Sequence, residues 1–420
     1  MSGTLNSRFK ILNIRIETEA SPAKASMPGK SLQTKAVCSI GALEPYLDGW
    51  RMLASGAPMR SPEWLLGWWE VFATPDDELQ IILVADAEGA LVGIAPLYLQ
   101  NRWGFTTIRV LGASDNCTHH TSWLSVPGWE TLVGKEVAIF LLQCTQNWKR
   151  LLFEAVDADA IAIYATMKHL TEHGCLGHQR QINSCWRIFL PDNWDDYLQM
   201  LSRSLRKRCR KLQRQFFDSG IIQLRQVEGE TDLQEGFKVL LQLHAARWGS
   251  VRQSLGVFSD EKFRSFHEAV SKTLLADQKL RLVWVECEGK PMAVEYQFFD
   301  GESVYAYQAG LDLSMGEYSP GILSMMAAIQ FAITKGCRSF DLLGGDEPYK
   351  AHWRAVPIAC HDLRFWQRSL RGYLEWTLWS GYMTAARGLK AVLPEHLLSH
   401  FLKLFNRFKE ACGSRRSSGH

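Results

Sequence analysis

Apolar positions follow the same order in two separate stretches of this chain. Leu79 to Leu97 is a nearly continuous apolar run broken by polar residues around Glu88-Gly89, and Leu280 to Tyr296 is a second such run broken at Glu288-Gly289. Apolar segments flanking a short polar turn that ends in glycine predict an antiparallel hairpin in each case. The correspondence continues downstream. Val126-Pro127-Gly128 leads into a helical pattern ending near Trp148 and then a strand, Leu151 to Ala155. In the second half a strand, Ser303 to Leu311, precedes Ser319-Pro320-Gly321, a helix over about Gly321 to Lys335 and a strand, Arg338 to Leu343. Helices alternating with a mainly antiparallel sheet in each half define an α+β, or mixed α/β, fold class.

The organisation expected from these patterns is a flexible leader over 1–35, a first lobe over 36–190 and a second lobe over 191–368. A helical extension over 369–412 and a disordered tail over 413–420 follow. The boundary falls at the polar turn Pro191-Asp192, ahead of a long helix starting near Asn193.

Composition narrows the functional classes. A chain of 420 residues has room for more than one core, and 46% hydrophobic with 22% charged residues is ordinary for a folded soluble protein. A net charge of +3 is too small to argue for nucleic acid, so any basic site must be local. Ten cysteines without a CxxC pair indicate neither a disulfide framework nor a zinc site, and a reducing cytoplasm is the simpler location. No apolar run reaches the roughly 18 residues of a membrane span, and the first 35 residues lack the apolar stretch of a signal peptide.

Candidate chemistry concentrates in the second half. A glycine where a strand hands over to a helix leaves backbone N–H groups at the positive end of the helix dipole. Ser319, Pro320, Gly321 and Ile322 are therefore the expected holders of a phosphate or pyrophosphate. Gly344-Gly345 lets the backbone approach something bound, with Glu347, Tyr349, Lys350 and Trp353 behind it. Tyr349 suits protonation of a departing thiolate, and Lys350 suits a phosphate or carboxylate; ion pairing among Asp341, Glu347 and Lys350 is the competing account. Asp341, inside a strand, needs buried partners. Glu295 alternates with Val294 and Tyr296, so it points to one face of the sheet and is a candidate base. His244 and Arg247 share a helix face, with Trp248 beside them, either as substrate contacts or as structural hydrogen-bonding groups.

Two further features stay open. Arg203 to Arg214 carries seven basic residues in twelve beside an apolar stripe of Leu201, Leu205, Cys209, Leu212 and Phe216. Its basic side is either the solvated face of a packed helix or a clamp for an anionic acceptor, a tRNA or the phosphates of a carrier. His119-His120 near Asp115 is a weak metal signal, and no metal is expected. Aromatic and basic residues after Arg368, continued by a second helix after Pro394, suit packing on the protein body or contact with an anionic membrane surface.

The series Arg60-Ser-Pro-Glu-Trp-Leu, Ile94-Ala-Pro-Leu, Leu111-Gly, Leu243-His-Ala-Ala-Arg-Trp, Tyr318-Ser-Pro-Gly and Asp341-Leu-Leu-Gly-Gly-Asp-Glu-Pro-Tyr-Lys to Trp353 resembles the GNAT-superfamily acyltransferases of the CelD/BioF2-like type, distant relatives of the Fem peptidyltransferases. The resemblance implies tandem GNAT-like lobes over roughly residues 40–370. It implies an acyl-CoA donor, with acetyl-CoA the first expectation, and transfer to an amine or hydroxyl on a small molecule or glycan precursor. A link to cellulose, exopolysaccharide or cell-envelope synthesis follows from the same resemblance. The usual pyrophosphate loop, Gln/Arg-x-x-Gly-x-Gly/Ala, is replaced here by Ser319-Pro320-Gly321, which keeps an aminoacyl-tRNA donor or a non-catalytic accessory role open.

Overall fold

The computed structural model describes residues 31–392 other than 56, 103, 114–117 and 253–255. Residues 1–30 of the expected leader, Asp115, the second C-terminal helix and the tail therefore lie outside the described residues.

The first half contains β1 (Gln33–Val37), α1 (Leu47–Leu53), α2 (Pro62–Phe72), β2 (Asp77–Ala85), β3 (Leu91–Arg102), β4 (Phe105–Val110), β5 (Leu124–Ser125), α3 (Glu130–Gln143), β6 (Arg150–Asp157), α4 (Ile161–Glu172), β7 (Leu176–Gln181) and β8 (Cys185–Phe189). The second contains α5 (Trp194–Met200), α6 (Arg203–Leu212), β9 (Ile222–Gln226), α7 (Glu230–Arg252), α8 (Glu261–Ala276), β10 (Leu280–Cys287), β11 (Lys290–Phe299), β12 (Ser303–Leu311), α9 (Pro320–Thr334), β13 (Ser339–Gly344), α10 (Tyr349–His352), β14 (Val356–Ile358), β15 (Cys360–Trp366) and α11 (Leu370–Val392). They form two mainly antiparallel sheets flanked by helices, so the expected mixed α/β class holds.

The two hairpins differ in their turns. In β10–β11, Cys287 pairs with Lys290, and Glu288 and Gly289 both have positive φ (51° and 76°). That is the two-residue turn whose twist matches the strands. In β2–β3 the loop is longer, and Asp86 Oδ1 accepts from the amides of Glu88 and Ala90.

Strand membership crosses the expected division at 190/191. The first sheet runs β1-β2-β3-β4-β6-β15-β7, with β5 beside β3, and the second runs β14-β8-β13-β12-β11-β10-β9. Thus β15 comes back to lie between β6 and β7, and β8 leaves the first half to lie between β13 and β14. Residues 33–35, expected in the leader, belong to β1, which pairs antiparallel with β2. The long helix expected from Asn193 is two helices. Leu201 is extended (φ −70°, ψ 158°), and the Ser202 hydroxyl accepts from Leu205 N–H to start α6 afresh.

The sheets share one core between them. Trp64 of α2 meets Phe266, Phe298 and Tyr307 edge-on at 5.0–5.5 Å, and Trp68 and Tyr98 pack alongside. The other face of the first sheet is covered by α3 and α4, and that of the second by α6 and α9. Helix α7 crosses β12 at Gly310, where an added Cβ would lie 2.5 Å from the His244 nitrogen and 2.6 Å from the Leu243 carbonyl carbon. Gly310→Val should therefore cost about 1–3 kcal/mol by overpacking against backbone that has nowhere to go. Thermal unfolding checks this; an unchanged melting temperature would mean that α7 does not rest on β12.

Candidate functional site

The site begins where β12 and β13 separate. Their parallel pairing covers Ser303–Ser339, Val304–Phe340 and Tyr305–Asp341 and then stops, so the backbone beyond Tyr305 loses its β13 partner. Such a V-shaped opening presents unpaired peptide groups on its inner edge.

Helix α9 starts at the mouth of this opening. Asp312 caps the short turn before it by accepting from Ser314 N–H (2.9 Å), and Ser319 then adopts a left-handed backbone (φ 56°, ψ 53°). Pro320 has no N–H, and the amides of Ile322 and Leu323 both donate to the Ser319 carbonyl (2.9 and 3.2 Å). Gly321 at the second position keeps an amide with no helical acceptor. Its missing Cβ would sit in ordinary contact with Leu311, 3.5 Å away.

The basic run lies beside this helix start. The Arg208 guanidinium donates to the Ser319 hydroxyl (2.9 Å). Cys209, Leu212 and Phe216 anchor α6 and the turn after it against Leu323 and Met326 of α9. The opposite side keeps Arg203, Lys207, Arg208, Arg210, Lys211 and Arg214 exposed, with Arg206 half-buried. None of the seven forms an ion pair with a carboxylate among the described residues. The positive stripe therefore remains unneutralised.

A second group of side chains lies under α9. Glu295 is buried on the α9 face of β11 and accepts from the Ser324 hydroxyl, one turn into the helix (2.8 Å). Burial raises its carboxyl above the usual range, with Ser324, Arg247 and Arg281 pulling the other way. Arg281 is itself buried and donates to Gln297 (2.5 Å). Arg247 donates to the Ala309 carbonyl (3.4 Å) on the separated stretch of β12, and Trp248 lies beneath its guanidinium at 5.5 Å. Tyr349, at the start of α10, remains 39% exposed. Partial burial and then the charge of Glu295 push its hydroxyl up to about 12, against the pull of Arg247. His244, one turn before Arg247, is buried against Phe258, and burial takes it down to about 4, so it is neutral at pH 7.

The residues around Gly344-Gly345 are engaged in holding that turn. The buried Lys350 ammonium donates to the carbonyls of Leu343, Gly344 and Gly345 (3.3, 2.8 and 2.9 Å) and pairs with Glu347 (3.0 Å). Its donors are spent, which favours the structural account over a phosphate contact. Trp353 is a core residue whose carbonyl accepts from the Tyr197 hydroxyl (2.8 Å).

Asp341 faces the opposite way, into a buried network that sequence reasoning did not find. It accepts from Arg187 (2.8 Å) and from Leu343 N–H (2.8 Å), and His120 Nε2 lies 3.3 Å away. His120 Nδ1 meets Asp157 at 2.7 Å, and Arg60 donates to the His120 carbonyl (3.0 Å). Burial opposes the charged imidazole, but Asp341 and Asp157 overcome it and raise His120 to about 10. Asp341 falls to about 2 despite burial, held by His120 and Arg187. This network borders a cavity of about 400 Å³ lined by Arg60, His119, His120, Asp157, Arg187 and Tyr305, among others. The His119-His120 pair was the only local signal, because its carboxylate partners are far away in sequence.

Residues 203–351, which span α6, the separating strands and the start of α10, match the sequence profile of an acetyltransferase (GNAT) domain. The match makes this segment similar to a GNAT domain, a coarser statement than the CelD/BioF2-like type. Comparison with curated protein sequences gives no match. The crystal structure of FemX superposes with a TM-score of 0.52 at 12% identity, covering 72% of this chain and 90% of FemX, which shows a shared fold. A conserved protein of unknown function from Bacteroides thetaiotaomicron VPI-5482 gives a TM-score of 0.48 at 9% identity, over 80% of this chain and 100% of its own. The C-terminal domain of a putative lysylphosphatidylglycerol synthetase from Agrobacterium fabrum gives 0.46 at 9% identity, over 81% and 96%. No helix among the described residues is long and apolar enough to cross a membrane.

Proposed function

We propose that the protein is an acyltransferase that moves an acyl group from an acyl-CoA, acetyl-CoA first among them, to an amine or hydroxyl. The observation that carries this reading is the end of β12–β13 pairing at Tyr305–Asp341, beside the start of α9 and within the charge field joining Glu295, Arg247 and Tyr349. The donor's pantetheine arm pairs with the open edge of β12. Its pyrophosphate lies at the Gly321 amide and the dipole of α9, with Arg208 making up for the amides that this turn lacks. Arg247 and Trp248 flank the acyl end, and His244 packs behind them.

Transfer is direct. The acceptor's lone pair attacks the thioester carbonyl carbon, the carbon–sulfur bond breaks, and coenzyme A leaves as a thiolate. Glu295 takes the acceptor's proton, directly or through water; its raised pKa makes it a stronger base than a surface carboxylate. Tyr349, held well above the pKa of a thiol, serves as a hydrogen-bond donor to the leaving sulfur, which draws its proton from solvent. Positioning and these few groups suffice for aminolysis of a thioester.

Isothermal titration of coenzyme A tests the donor site. Arg208→Glu is expected to weaken binding roughly tenfold or more, because it puts a like charge beside the pyrophosphate, about 1.4 kcal/mol per decade. Wild-type affinity in a folded Arg208→Glu protein would sink this placement. The unneutralised stripe on α6 favours one second reading, an aminoacyl-tRNA donor. That reading predicts a linear, steep loss of binding with salt and no heat with coenzyme A. We further propose a cytoplasmic setting, on the ground of the scattered cysteines, and a glycan-precursor acceptor, as the CelD/BioF2-like resemblance implies. Contact of the C-terminal helix with a membrane surface is supported by the exposure of Leu370, Leu374 and Leu378.

A further inference from the structure

We propose that His120, Asp157, Cys185 and Cys360 form a binding site for a zinc-like divalent ion at the point where the two sheets exchange strands. One ligand atom from each of His120, Asp157 and Cys185 lies within 4.8 Å of the others. A second thiol adjoins this triad as the fourth donor we propose: Cys360 Sγ lies 3.5 Å from Cys185 Sγ and 3.6 Å from Asp157 Oδ1, the carboxylate oxygen turned away from His120. A tetrahedral zinc with bonds of about 2.3 Å to sulfur and about 2.1 Å to oxygen separates two thiolates by about 3.8 Å and a thiolate from a carboxylate oxygen by about 3.6 Å. The Cys185–Cys360 and Cys360–Asp157 separations already stand close to those values. All four residues are buried.

The surroundings fit a ligating histidine. His120 Nδ1 meets Asp157 at 2.7 Å, and Nε2 lies 3.3 Å from Asp341 without an aligned hydrogen bond. A metal-bound imidazole characteristically donates its second N–H to a carboxylate, which fixes its tautomer and orientation. Asp341 is positioned for that role, being held by Arg187 and by the Leu343 amide. His120 itself has a left-handed backbone (φ 57°), and Arg60 holds its carbonyl. The cavity lined by His120 and Asp157 gives an ion a way in.

The protons balance. The ion replaces the proton shared by His120 Nδ1 and Asp157, and the two thiol protons leave with it. Nδ1 and the carboxylate oxygen, now 2.7 Å apart, part to about 3.4 Å as each turns to the ion. The ion would then connect β6 and β15 of the first sheet to β8 of the second, behind the strand that carries Asp341.

The full-length protein purified under reductant without chelator, analysed for metal, is expected to hold about one zinc per chain. After chelation, titration with Co²⁺ should give a thiolate-to-cobalt charge-transfer band and the intense visible bands of tetrahedral cobalt. Cys185→Ser and Cys360→Ser should abolish that spectrum, and added Zn²⁺ should raise the melting temperature of the wild type. Asp341→Asn should bind Co²⁺ about 10- to 100-fold more weakly while keeping the tetrahedral cobalt bands. Substoichiometric zinc with no cobalt bands in the reduced wild type would overturn the site, and that measurement needs no variant to fold. A Cys185–Cys360 disulfide persisting under reductant, or unchanged metal content in the cysteine variants, would overturn it equally.

Discussion

Glu295→Gln is expected to lower kcat by about 10²–10⁴-fold with little change in KM, the range associated with removing a general base. The substitution is nearly isosteric, and the amide oxygen can still accept from Ser324. Arg281 keeps its bond to Gln297, so the buried polar row under α9 survives. What disappears is a group able to take a proton. Burial is the main cause of Glu295's raised pKa. The base works only when ionised, so wild-type kcat should rise with pH through a value above the ordinary carboxylate range, and the Gln variant should lose that limb. Stability moves the opposite way. A carboxyl whose folded pKa is raised favours folding as pH falls through that pKa, and the Gln variant should lack this gain. A Gln variant with wild-type kcat and an unchanged pH profile would remove Glu295 from the chemistry.

Asp341→Ala is expected to destabilise the metal-free protein by about 3–5 kcal/mol, the usual cost of deleting one partner of a buried ion pair. The side chain is fully inaccessible and serves Arg187, His120 and the Leu343 amide together. Removing it leaves the partly exposed Arg187 guanidinium without its carboxylate and the buried His120 imidazolium with Asp157 as its remaining partner. Asp341→Asn retains the shape and an acceptor for Leu343 N–H, so it should fall between Ala and wild type. Denaturant unfolding in the presence of a chelator measures this. A loss below about 1 kcal/mol would mean that water reaches the network and screens it.

The parts of this structure that were legible from sequence are those fixed by neighbours in the chain. The β10–β11 turn follows from Glu288-Gly289 alone, and the placement of β12, α9 and β13 follows from their periods and from Ser319-Pro320-Gly321. The break between α5 and α6 was readable too, in the Ser202 hydroxyl that caps Leu205, but the apolar stripe runs through it and masks it. Long-range pairing left no local trace. Arg187 and Asp341 are 154 positions apart, and nothing in either segment names the other. Lys350 illustrates the same limit. Its i,i+3 partner Glu347 was foreseeable, whereas the three carbonyls it caps converge only because Leu343 and Gly345 take positive φ (54° and 108°).

The exchange of β8 and β15 also governs how this chain comes into being at the ribosome. Strand β7 is attached to its sheet through β15, which is translated almost two hundred residues later. Until then β6 and β7 each present a raw edge to other nascent chains. The amino-terminal half thus cannot finish folding as it emerges, and its completion waits until the whole GNAT-like segment, residues 203–351, has been made. Slow, concentration-sensitive maturation and reliance on chaperones are the natural outcome of so late a closure.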